Sequence, residues 1–180
     1  MILLGCRPAG RHTEQHDIFF TIADGLAAAK PDIRAFWPDA GTIHIDGWRA
    51  VTWVNGYSIR VVEKGAAPEG GFKLFFVNLG GYKPGEFEEY HYKMLVVASS
   101  RSGAISAARA TAFYKHTGFK GADSHIDDKY GIDVDDIEAI EDILPEEIRS
   151  RYSLRIEAAP GVEDDLHLGY LKWARIGAEE

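Results

Sequence analysis

The chain repeats itself, and that constrains its fold more than any other feature. Shifted by 75 positions, Leu4-Gly5 falls on Leu79-Gly80, Gly10 on Gly85, Glu14 on Glu89, His16 on His91 and Ala23 on Ala98, without a gap. These are six identities across the 22 positions from Ile2 to Ala23. Further on, His44-Ile45-Asp46 recurs as His125-Ile126-Asp127 at a shift of 81, which places six extra residues in the intervening segment of the second copy. Self-similarity at a fixed offset is the signature of a doubled structural unit.

Each half carries the same run of patterns. Ile2 to Cys6 and Phe72 to Leu79 are short apolar, β-rich runs, followed by Gly-bounded polar loops and second strands over His16 to Ala23 and Tyr90 to Ala98. In the second half Ser99 to Ser102 supply capping side chains for a helix over Gly103 to His116, ended by Gly118. In the first half Asp24 caps a helical run that Pro31 is expected to break, with a further piece reaching Trp37. Extended structure follows: Thr42 to Val54, a turn at Asn55-Gly56 and Tyr57 to Glu63, matched by Ser124 to Val134, a turn at Asp135-Asp136 and Ile137 to Leu144. After a helical turn opened by Pro145, Tyr152 to Ala158 and Leu166 to Trp173 read as a terminal hairpin turning at Pro160-Gly161. Apolar residues on both faces of Leu166 to Trp173 predict a strand covered on both sides.

The expected fold class is therefore α+β, with two ββαββ repeats in mainly antiparallel sheet, related by a pseudo-twofold axis, and a C-terminal β-hairpin. The repeats span 1–66 and 72–145 and the hairpin 150–176. Halves this small cannot each bury a generous core, so all three pieces are expected to pack as one domain.

Charge narrows the partners. Twenty Lys and Arg stand against 28 Asp and Glu, a net charge of -8. Asp127 to Glu147 alone holds ten acidic residues and one Lys. Nucleic acid and anionic membrane surfaces both require a basic face, and no Lys/Arg-rich segment exists. The expected partners are a small molecule or a second copy of the chain as a homodimer. Cys6 is the single cysteine, which fits a reducing, cytoplasmic setting.

Gly10-Arg-His-Thr-Glu-Gln-His16, Leu79-Gly80-Gly81-Tyr82 and His125-Ile-Asp-Asp-Lys-Tyr-Gly-Ile-Asp133 together resemble an uncharacterised bacterial domain-of-unknown-function family. Its domain occurs as one or two tandem copies per chain, and this sequence resembles the two-copy form. The resemblance covers roughly residues 1 to 145 and implies a soluble bacterial protein. It brings no activity, cofactor or catalytic residue with it.

The chemistry lies in the repeated polar residues. Glu14-x-His16 and Glu89-x-His91 stand at the entrance to a strand, and His44-x-Asp46 and His125-x-Asp127 open the strand after the helix. Residues two apart in a strand share a face, so neighbouring strands would bring a Glu, two His and an Asp together. That set suits a borderline-to-hard divalent ion such as Zn, Mn or Fe. It equally suits general acid–base work, with a carboxylate fixing an imidazole tautomer. Strand-end pairs of this kind also serve simply to satisfy buried polar groups.

Arg11 and His12, with Arg7 between two glycines, add a candidate anion-binding loop in the first half only. Asp133-x-Asp135-Asp136 fails as a calcium loop because Glu138 occupies the required Gly position. The residues thus point to a small-ligand or metal-binding domain, catalytic or not. The alternative is a non-catalytic interaction or homo-oligomerisation module pairing through strand edges.

Overall fold

The structure, a computed structural model, describes residues 1–68, 71–82, 85–111 and 133–177. His125 and Asp127 lie outside them, as does the end of the expected helix beyond residue 111. The described chain is α+β with antiparallel sheet throughout. Strands β1 (Ile2–Cys6), β2 (Gln15–Phe19) and β3 (Ile43–Trp48) are joined by β10 (His167–Lys172) in a sheet of order β10-β3-β1-β2. Strands β6 (Lys73–Tyr82), β7 (Glu89–Ala98) and β8 (Asp133–Ala139) form a sheet of order β7-β6-β8. Strands β4 (Trp53–Val54), β5 (Tyr57–Glu63) and β9 (Tyr152–Ala158) form a third sheet of order β4-β5-β9.

Alternation along the strands decides what each face does. Ile2, Leu4 and Cys6 on β1, with Ile43 and Ile45 on β3, pack beneath helix α1 (Leu26–Phe36) through Leu26, Ala29 and Ile33. Phe75, Val77 and Leu79 on β6 pack in the same way beneath helix α2 (Arg101–Arg109) through Ala104 and Ala108. A third cluster, which includes Phe20, Ile59, Leu74 and Leu144, ties residues of all three sheets to the short helices α3 (Ile140–Ile143) and α4 (Glu146–Arg151). Leu3 and Gly5 alternate away from α1: Leu3 packs on the third cluster, while Gly5 puts no side chain on that face.

Several local expectations hold. Ser100 caps α2 by accepting from the Gly103 amide at 3.1 Å. Asn55 and Gly56 both take positive φ, 49° and 92°, the pairing a two-residue hairpin between β4 and β5 demands.

Others are overturned. Pro31 does not break α1, which runs through it, because Leu26, Ala29 and Ile33 seat the helix on the sheet and outweigh one missing hydrogen bond. Asp24 does not cap it either; Gly25 occupies that position. Asp135-Asp136 is no turn: β8 runs straight past it along β6, holding Ile137 in the core, and Ile140 then starts α3 instead of continuing the strand. An Asp-Asp pair lacks the glycine that would make positive φ cheap at both turn positions.

The terminal hairpin is not formed. β9 pairs with β5 over seven positions and β10 pairs with β3. Gly161 passes against the Trp53 ring, where an added Cβ would stand 3.0 Å from Cγ, and Trp53 Nε1 donates to the Ala159 carbonyl at 2.9 Å. The chain is thus led on to the other sheet. β10 is an edge strand with Leu168 and Tyr170 exposed, not a strand covered on both faces.

The crossing segment is pinned by Asp164. Its carboxylate accepts from the Thr52 amide at 2.7 Å, the Thr52 hydroxyl at 2.6 Å and the Trp53 amide at 3.2 Å. Partial burial works to raise its pKa, but these hydrogen bonds, with Arg49 nearby, outweigh it and hold the carboxyl below its ordinary 3.8. Asp164→Ala is expected to cost about 1–2 kcal/mol in urea unfolding at neutral pH, a figure reduced for solvent exposure. A depressed carboxyl stabilises above its unfolded pKa and loses that contribution as pH falls through its folded value. The gap between wild type and variant should therefore close below the ordinary carboxylate range. A constant gap down to pH 2.5, roughly the floor for such a titration, would assign the loss to packing instead.

Candidate metal centre

Gly5 organises the site. In register it stands between His16 on β2 and His44 on β3, so both imidazoles rise from the sheet face opposite α1 on either side of a residue with no side chain. A Cβ at Gly5 would collide with His44 Nε2 and lie 2.6 Å from Asp46 Oδ2. Asp46 reaches the same spot through a β-bulge: the β1–β3 register slips between Leu3 and Leu4, leaving Asp46 unpaired. Bulges of this kind re-aim a side chain. Glu14 precedes β2 on the same face as His16.

Four side chains converge as a result. His44 Nε2 lies 3.2 Å from Asp46 Oδ2 and 3.3 Å from Glu14 Oε1. His16 Nε2 lies 3.3 Å from Asp46 Oδ2 and 3.6 Å from Glu14 Oε2. Glu14, His16 and His44 each offer a ligand atom within 4.8 Å of the other two, and Asp46 Oδ2 lies beside both imidazoles, spacings of the size taken by ligands held about 2.0–2.1 Å from one ion. His44 Nε2 and Asp46 Oδ2 are moreover buried with no hydrogen-bond partner, despite their proximity. Two orphaned acceptor-capable atoms aimed at one point normally carry a cost, which a cation between them removes.

Burial is graded across the group. The His44 side chain is 5% exposed, Asp46 23%, His16 44% and Glu14 47%. Tyr170 on β10 walls the buried side, its ring 4.3 Å from the His44 ring. The opposite side opens to solvent. Cys6, its thiol pushed up in pKa by burial and by the Glu14 charge, faces the α1 side and takes no part.

The remaining candidates divide. Arg11 and His12 sit exposed on the β1–β2 loop, and among the described residues neither pairs with a carboxylate; Arg7 donates to the His12 carbonyl at 3.1 Å instead. Glu89 and His91 come together on the second sheet, where they meet Asp135. The equivalence of His44-x-Asp46 with His125-x-Asp127 is replaced by strand register. Asp133 pairs with Gly80 as His44 pairs with Gly5, and Asp135 sits at a register slip between Asn78 and Leu79 as Asp46 does between Leu3 and Leu4. Sequence reasoning missed Asp135, although Asp133-x-Asp135 has the right spacing. It also missed Tyr170, for which no local signal exists.

No curated protein matches the chain. Among solved structures it is similar to the crystal structure of a protein Il1583 from Idiomarina loihiensis, at 22% identity and a TM-score of 0.60, covering 95% of this chain and 93% of that one. That likeness establishes a shared fold. Residues 11–61, the stretch that carries Glu14, His16, His44 and Asp46, match the sequence model of the family described as Domain of Unknown Function (DUF1543).

Proposed function

We propose that the protein binds one divalent transition-metal ion through Glu14, His16, His44 and Asp46. The observation that carries this reading is the pair of buried, unpartnered atoms His44 Nε2 and Asp46 Oδ2, 3.2 Å apart. Two imidazoles and two carboxylates suit Zn(II), Fe(II) or Mn(II), and the half-exposed Glu14 and His16 leave the ion accessible to water or a small oxygen-donor ligand. An ion so held is positioned to act as a Lewis acid on that ligand. The unpaired buried thiol of Cys6 suits a reducing compartment, and a cytoplasmic location belongs to this reading. No helix among the described residues is long and apolar enough to cross a membrane.

Elemental analysis with native mass spectrometry tests it directly. Chelator-stripped protein titrated with Co(II) should take up a tightly held ion with the intense visible absorbance of a low-coordinate N/O site. His16→Ala and His44→Ala should each lose it while keeping the wild-type circular dichroism spectrum. Co(II) uptake that survives both substitutions sinks the reading.

Self-association is the second reading. Edge strand β10 and the residues before it expose Leu166, Leu168 and Tyr170 at 63%, 78% and 62%. Light scattering over a dilution series decides it, since a dimer pairing along β10 would also cover the Tyr170 wall of the metal centre.

A further inference from the structure

We infer that Glu89, His91 and Asp135 form a second cation site, built by the same strand geometry as the first but selective for a harder divalent ion such as Mn(II). It shares only its architecture with the site proposed above, and different residues decide it.

One ligand atom from each of the three side chains lies within 4.8 Å of the other two, and His91 Nε2 stands 3.4 Å from Asp135 Oδ2. His91 pairs in register with Gly80, and a Cβ on Gly80 would fall 2.6 Å from Asp135 Cγ, so here too a missing side chain makes the space in which the ligands meet. Asp135 gains its position from a bulge in β8. A glycine floor, a His on the second strand and a bulged Asp on the third thus occur twice in one chain. An accidental patch of surface acid would not reproduce all three.

The donor atoms differ in a way that fixes the ion. The first cluster offers two imidazoles among its ligands; the second, Glu89, His91 and Asp135, offers one beside two carboxylates. Replacing nitrogen by oxygen moves preference from Zn(II) and Co(II) toward oxygen-seeking ions such as Mn(II) and Mg(II). Asp135 is also more exposed than its counterpart Asp46, 32% against 23%, and the cluster holds no imidazole as buried as His44, because β8 is the edge of its sheet and nothing among the described residues stands where Tyr170 stands. The second site is accordingly the weaker.

Mn(II) titration of the chelator-stripped full chain, followed by the paramagnetic resonance signal of free Mn(II), reads the site. With the first centre filled beforehand by one equivalent of Zn(II), wild type should bind one Mn(II) per chain, and His91→Ala and Asp135→Asn should each weaken that binding by about tenfold or more. His44→Ala should leave it unchanged, while Asp135→Asn should leave Co(II) uptake at the first centre unchanged. Glu89→Gln, an isosteric change at an exposed position, repeats the test without risk to folding. No Mn(II) uptake by wild type, or uptake indifferent to all three substitutions, overturns the proposal. Loss of Co(II) binding in His44→Ala with Mn(II) binding intact would uphold both sites; Co(II) binding that survives His44→Ala while Mn(II) binding is lost only in the second-sheet variants would remove the first alone.

Discussion

Replacing Gly5 by Ala is expected to abolish metal binding at the first centre and to destabilise the fold by about 1–3 kcal/mol, the usual cost of overpacking a closed site. The new methyl group would need the space that His44 Nε2 and Asp46 Oδ2 already fill. His44 cannot yield: its side chain is buried, with the Tyr170 ring against it and Ile43 and Ile45 fixed in the core on either side along β3. Asp46 is tied to its bulge. Strain and loss of ligand geometry should therefore appear together, read as a lower urea midpoint and a Co(II) titration without the visible band. Gly80→Ala is the informative contrast. The atom in its way belongs to Asp135, an exposed side chain that can swing outward, so folding should change by under about 1 kcal/mol while Mn(II) binding falls. A Gly5→Ala protein with wild-type stability and full Co(II) uptake would mean that the four side chains do not meet over Gly5.

That glycine was visible in the sequence, and its meaning was not. Leu4-Gly5 recurring as Leu79-Gly80 marked the position, and Glu14-x-His16 recurring as Glu89-x-His91 marked two ligands in each half. Period-two alternation then placed each pair on one face. What alternation cannot supply is the pairing of distant strands. His44-x-Asp46 meets Glu14 and His16 across β1, which separates β2 from β3, whereas the sequence reading has those two strands as direct neighbours. In the second half sequence identity points to His125-x-Asp127, outside the described residues, whereas register aligns Asp133-x-Asp135, a pair of the same spacing but different residue type. A two-residue spacing is preserved by geometry even where side chains change.

The terminal strands failed for a related reason. Pro160-Gly161 is a sound turn signal locally, yet the choice between a hairpin and a crossing is made by partners about a hundred residues away. Seven β5–β9 pairs bury Leu154 and Ile156 against the central cluster, and Asp164 holds the link to Thr52 and Trp53. Long-range pairing of this kind leaves no local trace. Tyr170, delivered to His44 only because β10 crosses to β3, was invisible for the same reason. Pro31 shows the converse, a strong local signal overruled by the three residues that anchor α1.

Loading the first centre should raise stability by about 4 kcal/mol when free metal exceeds its dissociation constant a thousandfold, because the unfolded chain does not hold the four ligands together. For a domain of this length that corresponds to a rise of about 8–16 °C in melting temperature. Chelator should reverse it fully. The gain has a clear structural source: in the metal-free protein His44 Nε2 and Asp46 Oδ2 are shut from water without a partner, and the ion converts that cost into two coordinate bonds. Since every ligand lies on β2, on β3 or in the loop entering β2, the ion also clasps β2 to β3 across β1. His44→Ala should erase the metal-dependent part of the shift at Zn(II) or Co(II) concentrations that saturate wild type. A rise that persists in this variant but vanishes in Asp135→Asn would place the stabilising ion on the second sheet. A melting temperature indifferent to metal in wild type would show that the orphaned pair is satisfied without an ion.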